Sequence, residues 1–189
     1  MNITVKTRIQ TYLLITLLLA LGSLLFTPQA FSASAEELNI RADGTLKRFK
    51  TEVSGAGEFL KKAKAVLVFP SVLKAGFFIG GEYGEGVLRI GRKTVDYYST
   101  VSASIGFQFG AQSKSIVLVF LEKEALDNFR KSDGWKAGVD GSVALLKWGV
   151  GENINSVEVN KPIVGFVFSN KGLMYNLTLE GSKFTKLNR

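Results

Sequence analysis

The stretch Lys74–Arg92, KAGFFIGGEYGEGVLRIGR, holds two residue types that could do chemistry: glycines at 76, 80, 81, 84, 86 and 91, and carboxylates at Glu82 and Glu85. A glycine-rich loop can cradle a phosphate, and two close carboxylates can share general acid–base work. The spacing argues against the first use. Gly80, Gly81, Gly84 and Gly86 read G-G-x-x-G-x-G, which is neither a dinucleotide fingerprint nor a P-loop. The following VLRIGRK reads as strand, where a phosphate loop needs a helix. Glycines inside strands mark bulges, bends or the close approach of another backbone. Further glycines at 106, 110, 138, 141 and 165 repeat that signal, so the expectation is a strongly curled sheet.

The remaining chemistry is sparse. Glu82 and Glu85 read better as a solvated hairpin tip than as an acid–base pair. Asp133, Asp140 and Glu152 lack calcium-loop spacing, and the sequon at Asn176 falls within a predicted strand. The chain has no cysteine and no histidine. Cysteine nucleophiles, serine–histidine triads, disulfides and the usual zinc sites are thereby removed. No catalytic, cofactor or metal residue is assigned, and the chain is read as a non-enzymatic protein.

Charge is the stronger signal. Formal net charge is +8 over 189 residues, and Arg41 to Lys74 holds eight bases against three acids. Such asymmetry points to an anionic membrane surface or another polyanion. Nucleic acid is disfavoured as the partner, because the basic window lacks interleaved aromatics for base stacking.

The first 35 residues have the order of a secretory signal peptide: Lys6 and Arg8, an apolar run from Leu13 to Phe26, then TPQAFSASA. The apolar core is 14 residues long, and a membrane span needs about 18 or more. Removal after Ala35 is preferred from the Ala33-x-Ala35 pair, with cuts after Ser32 or Ser34 also fitting. Loss of Lys6 and Arg8 takes the net charge from +8 to +6. The expected organisation is a leader over 1–35 and a single domain over 36–189, exported to the periplasm or secreted.

Residue periodicity supplies the scaffold. Leu38, Ala42, Leu46, Phe49 and Val53 share one helical face, with Asp43-Gly44 as a weak spot where a helix could instead start. SGAG at 54–57 breaks that helix, and a short second one turns Phe59, Leu60 and Ala63 inward. From Ala65 the period becomes two. AVLVFP reads as a buried strand ended by Pro70. VSASIGFQFGAQ alternates, with Val101, Ala103, Ile105, Phe107, Phe109 and Ala111 on one side. SIVLVFL reads as a central strand, KEALDNFRKS as a short helix with Leu126 and Phe129 on it. Trp135, Ala137, Val139, Val143 and Leu145 alternate again, and SNKG at 169–172 turns a last hairpin bearing Leu173, Tyr175, Leu177 and Leu179 on one face. The fold class is α+β: two N-terminal helices on a strongly curved, glycine-rich antiparallel sheet, open or closed into a small barrel.

Four blocks carry a resemblance: AKAVLVFPSVLKAGFFIGGEYGEGVL, YYSTVSASIGFQFGAQSKSIVLVFLEKEAL, WKAGVDGSVA and SNKGLMYNLTLEGS. In order, from about Ala42 to Ser182, they resemble the SYLF domain, a lipid-binding family also described as actin regulators. RKTVDYY stands where that family has a tryptophan-serine-x-proline turn. The resemblance implies binding of anionic phospholipids, phosphoinositide-like or bacterial, through the basic N-terminal part, peripherally at a membrane. The expected headgroup contacts are Arg41, Lys47, Arg48, Lys50, Lys61, Lys62, Lys64 and Lys74. Phe49, Phe59, Leu60 or the Phe77–Phe78 pair would insert or pack. The alternative is a protein-interaction module whose basic face meets an acidic protein partner.

Overall fold

The computed structural model describes residues 33–77, 79–105, 112–145, 154, 161–169, 172–173 and 179–189. These belong to one compact unit, Ala33–Arg189. Its first helix, α1 (Ala35–Glu52), starts where Ser34 Oγ accepts the Glu37 N–H at 3.1 Å. Glu36 and Glu37 sit in the first turn and complement the helix dipole. The helix runs straight through Asp43-Gly44. Asp43 caps nothing; its carboxylate pairs with Arg89 on the sheet. Gly55, at φ 80°, makes the turn into α2 (Ala56–Lys62).

Among the described residues nine strands follow: β1 (Ala65–Phe77), β2 (Ile79–Ile90), β3 (Lys93–Ile105), β4 (Gln112–Phe120), β5 (Trp135–Lys136), β6 (Val143–Leu145), β7 (Ile163–Ser169), β8 (Gly172–Leu173) and β9 (Lys183–Leu187). Helix α3 (Lys123–Lys131) lies between β4 and β5. The strand order is β5-β9-β3-β2-β1-β4-β7-β6, with β8 also on β7. β5 and β6 are unclosed ends, so the curled sheet is an open half-barrel, not a closed barrel. Nor is it wholly antiparallel, since β6 pairs with β7 in parallel.

Pro70 does not end the first strand. β1 continues to Phe77, and its register shifts between Val68 and Ser71 against β2 and between Phe69 and Val72 against β4. Proline lacks the N–H that a ladder needs, and a bulge is where a central strand can tolerate it. β2 accommodates the bulge with glycine. A Cβ on Gly86 would lie 2.5 Å from the Val68 carbonyl oxygen, and one on Gly84 would lie 2.8 Å from that of Ser71. The glycines bend and admit backbone, as their placement in strands predicts.

Both faces of the sheet are covered. On one, the buried side chains of Leu38, Ala42, Phe49, Val53, Ala56 and Phe59 pack on Val68, Val87, Val117, Val119 and Phe166. On the other, Leu126 and Phe129 of α3 meet Leu67, Phe69, Leu88, Tyr98 and Phe120. Phe129 anchors that side, with ring centroids 4.8 Å from Tyr98, 5.0 Å from Phe120 and 5.4 Å from Trp135. Each large side chain fully buried this way contributes about 1.5–3 kcal/mol. β4 is central, and Ile116 to Phe120 are all buried.

Two alternations end early. Gly138, at φ 86°, turns the chain after β5 and leaves Val139 exposed. Val101 and Ala103 of β3 are likewise exposed, while Phe107, Phe109 and Ala111 lie outside the described residues. The last hairpin appears as Ser169 opposite Gly172 and Phe168 opposite Leu173. Leu179 is buried, and Tyr175 and Leu177 lie outside the described residues.

Candidate functional site

The basic residues divide by their partners. Arg41 pairs with Glu37 at 2.6 Å, Arg48 with Glu52 at 2.5 Å, and Lys61 with Glu58 at 2.7 Å, all within one helix. Each pair offsets part of the charge that these three candidate contacts would offer an anion. Lys47, Lys50, Lys62 and Lys64 are exposed and have no acidic partner among the described residues. Lys50 stands in the last turn of α1 and Lys62 in the last turn of α2. There each also offsets the negative end of its helix.

Lys74 is not part of this group. It lies two residues after Val72 on the same strand face, and Val72 belongs to the core on the α3 side, so the sheet separates Lys74 from α1 and α2. On its own face it stands opposite Glu82, whose carboxylate holds Lys114 at 2.7 Å and accepts from Ser102 Oγ at 3.2 Å. Glu85 points to the other face, where Arg189 holds it at 2.6 Å and Tyr83 donates to it at 2.9 Å. Glu82 and Glu85 therefore form no carboxylate pair.

The aromatic candidates pack instead of protruding. The Phe49 ring lies 4.6 Å from Phe166 and 5.8 Å from Phe168, and Phe59 lies 6.2 Å from Phe166. Leu60 is half-buried against the same cluster. Phe49 and Phe59 belong to the helix–sheet core and are not offered to a surface. Phe78 and the side chain of Phe77 lie outside the described residues.

Other apolar side chains are offered to solvent on the α1 side. Ile40 of α1 is 65% exposed. Leu73, Tyr83 and Val101 stand in one cross-strand row over β1, β2 and β3, each at least half exposed. Sequence reading missed this row because the Pro70 bulge inverts which residues of β1 face the helices. Alternation counted from Val66 puts Leu73 on the wrong side.

Elsewhere, Glu122, Glu124, Asn128 and Asp140 line a small cleft beside Trp135. Its polarity suits a cation and not an anionic headgroup. Asp140 Oδ2 also accepts the Lys136 N–H at 2.6 Å, a turn contact. Among the described residues no cluster of acidic side chains could hold a metal ion, and no helix is long and apolar enough to cross a membrane. Glu152 and Asn176 lie outside the described residues.

Residues 101–189 match the family model described as "Ysc84: Las17-binding protein actin regulator". Over that stretch, the C-terminal 89 of 189 residues, the chain is similar to the Ysc84, or SYLF, family. The description of that family names Las17 binding and actin regulation. The match begins within β3, so the basic helices α1 and α2 precede it. Comparison with curated proteins gave no match.

Proposed function

We propose that this protein binds anionic lipid surfaces, without catalysis, through the outer side of α1, α2 and the two residues that follow α2. The carrying observation is the set of four exposed lysines, Lys47, Lys50, Lys62 and Lys64, that lack acidic partners among the described residues. At about 1 kcal/mol per basic residue near an anionic membrane, four lysines supply about 4 kcal/mol. That corresponds to roughly millimolar affinity. Burying Ile40, the exposed apolar side chain of α1, would add about 1.5–3 kcal/mol. The sum describes reversible adsorption. In an exported protein the lipid would be a bacterial anionic species such as phosphatidylglycerol or cardiolipin, met from the periplasmic or outer side.

The test is sedimentation with phosphatidylglycerol-rich vesicles, with phosphatidylcholine vesicles as the neutral control. Wild type should pellet with the first and not the second. The quadruple change of Lys47, Lys50, Lys62 and Lys64 to glutamate should stay folded by circular dichroism and remain in the supernatant. Undiminished pelleting of that variant would remove the proposal.

The family description favours a second reading, a protein-interaction module whose basic face meets an acidic partner. Such a module would ignore vesicle charge, so the same assay separates the two.

A further inference from the structure

We infer that the processed chain begins at Ala33, so that the bond cut is Ser32–Ala33 and not Ala35–Glu36. The inference rests on the leader reading and specifies its end. Both bonds satisfy the small-residue requirement of leader removal: Ala30 and Ser32 precede the first, Ala33 and Ala35 the second. Sequence favours the second because it is a complete A-x-A pair. The fold favours the first.

Each of the three residues between the two bonds holds part of the domain. The Ala33 carbonyl accepts from the Arg189 guanidinium, whose other nitrogen reaches Glu85 at 2.6 Å. That guanidinium lies 6.0 Å from the centre of the Tyr97 ring, and its side chain and that of Glu85 are only 14% and 11% exposed. Ala33 itself packs on the helix-side core. Ser34 Oγ caps α1 through Glu37, and its carbonyl accepts the Leu38 N–H at 2.9 Å. The Ala35 carbonyl accepts from Asn39 Nδ2 at 2.8 Å, and the same nitrogen donates to Tyr97 Oη at 3.0 Å.

A cut after Ala35 would remove the cap, the carbonyl that Arg189 grips and one acceptor of Asn39. It would also place a new ammonium group within the first turn of α1, where the helix dipole already presents its positive end. A cut after Ser32 keeps every one of these contacts. Its new ammonium lies outside the helix, before the cap. The compact unit begins at the same residue, Ala33.

The experiment uses the full chain, exported from a bacterial host, with intact mass and N-terminal sequence read on the released protein. The expected N-terminus is Ala33. A terminus at Ala35 or Glu36 overturns the inference while leaving the leader reading in place, whereas a retained Met1 overturns both. A second arm uses Ser32→Leu, which puts a bulky residue beside the proposed bond. Precursor should accumulate, or the cut should move to Ala35 and give a product that melts about 2–4 °C lower for each kcal/mol lost with the cap and anchor. A Ser32→Leu product with the wild-type terminus, or a shortened product as stable as wild type, would count against it.

Discussion

Gly86 stands directly over Phe69: a Cβ built on it would lie 2.7 Å from the ring edge and 2.5 Å from the Val68 carbonyl oxygen. Neither neighbour can give way, since one is backbone and the other a fully buried ring. Gly86→Ala is therefore expected to destabilise by about 1–3 kcal/mol, the range for overpacking a closed site. Gly44 is the opposite case, a helical glycine with open space where its Cβ would be. Gly44→Ala should stabilise by about 0.5–1 kcal/mol. Urea titration of the two variants reads both signs. Added nucleotide should raise the melting temperature of neither wild type nor variant, because these glycines line no phosphate site.

Tyr98 gives a prediction in pH. Its hydroxyl is buried without a hydrogen-bond partner among the described residues. Burial first, and the nearby Asp96 carboxylate second, push its pKa up to about 12. In the unfolded chain it titrates near 10, so above pH 10 the unfolded state loses its proton first. This contribution to stability is complete below pH 10 and is lost as pH rises through about 12. Tyr98→Phe should flatten the alkaline limb of a stability-against-pH curve between 10 and 12. At pH 7 it should leave stability unchanged or higher, since it deletes an unpaired buried hydroxyl. A marked loss at pH 7 would mean that the hydroxyl is paired.

Asp96 ties three elements together. Its carboxylate, almost fully buried, takes Arg130 of α3 at 2.9 Å and Lys186 of β9 at 2.5 Å. Asp96→Ala removes charge-assisted hydrogen bonds from Arg130 and Lys186, which are 37% and 47% exposed and can turn to solvent, so the expected cost is about 1.5–3 kcal/mol. Arg130→Met should cost less, because Lys186 still neutralises the carboxylate. Thermal melts of the two single variants and the double variant give the coupling. A strictly additive double would deny that the three groups act as one unit.

How far the sequence carried this structure depends on the kind of signal. The stripe Leu38–Ala42–Phe49–Val53 was legible because a helix repeats its buried face every 3.6 residues, and long stripes average out a local defect such as Gly44. Ile116–Phe120 was legible as a central strand because burial on both faces leaves an unbroken apolar run. Pro70 was misread as a strand end because proline reports a missing donor, and a bulge supplies that as well as a terminus does. The basic candidates were found as residue types only. Their pairing to Glu37, Glu52 and Glu58 depends on which rotamers meet, and Lys74 was lost to the other face by the inversion at the same bulge.

That inventory sharpens what salt should do to lipid binding. Raising ionic strength from 0.1 M to 1 M shortens the Debye length from about 10 Å to about 3 Å. Exposed lysines without salt-bridge partners among the described residues are the ones whose attraction to a headgroup layer it removes, so pelleting with phosphatidylglycerol-rich vesicles should fall steeply across that range. Reversing Arg41, Arg48 and Lys61 instead would break three intrahelical pairs and set like charges side by side, so its effect would mix binding with helix stability. What survives at 1 M measures apolar insertion. Phe59→Ser is a poor probe of that remainder, because Phe59 is buried against Phe166 and its loss should unfold the domain by several kcal/mol. Ile40→Ser is the clean probe: the side chain is 65% exposed, so stability should change by under about 0.5 kcal/mol. If Ile40 enters the interface, its loss abolishes the salt-resistant fraction and spares most low-salt binding. A salt-resistant fraction that survives Ile40→Ser would move the inserted surface to the exposed row of Leu73, Tyr83 and Val101, where Leu73→Ser is the next substitution to make.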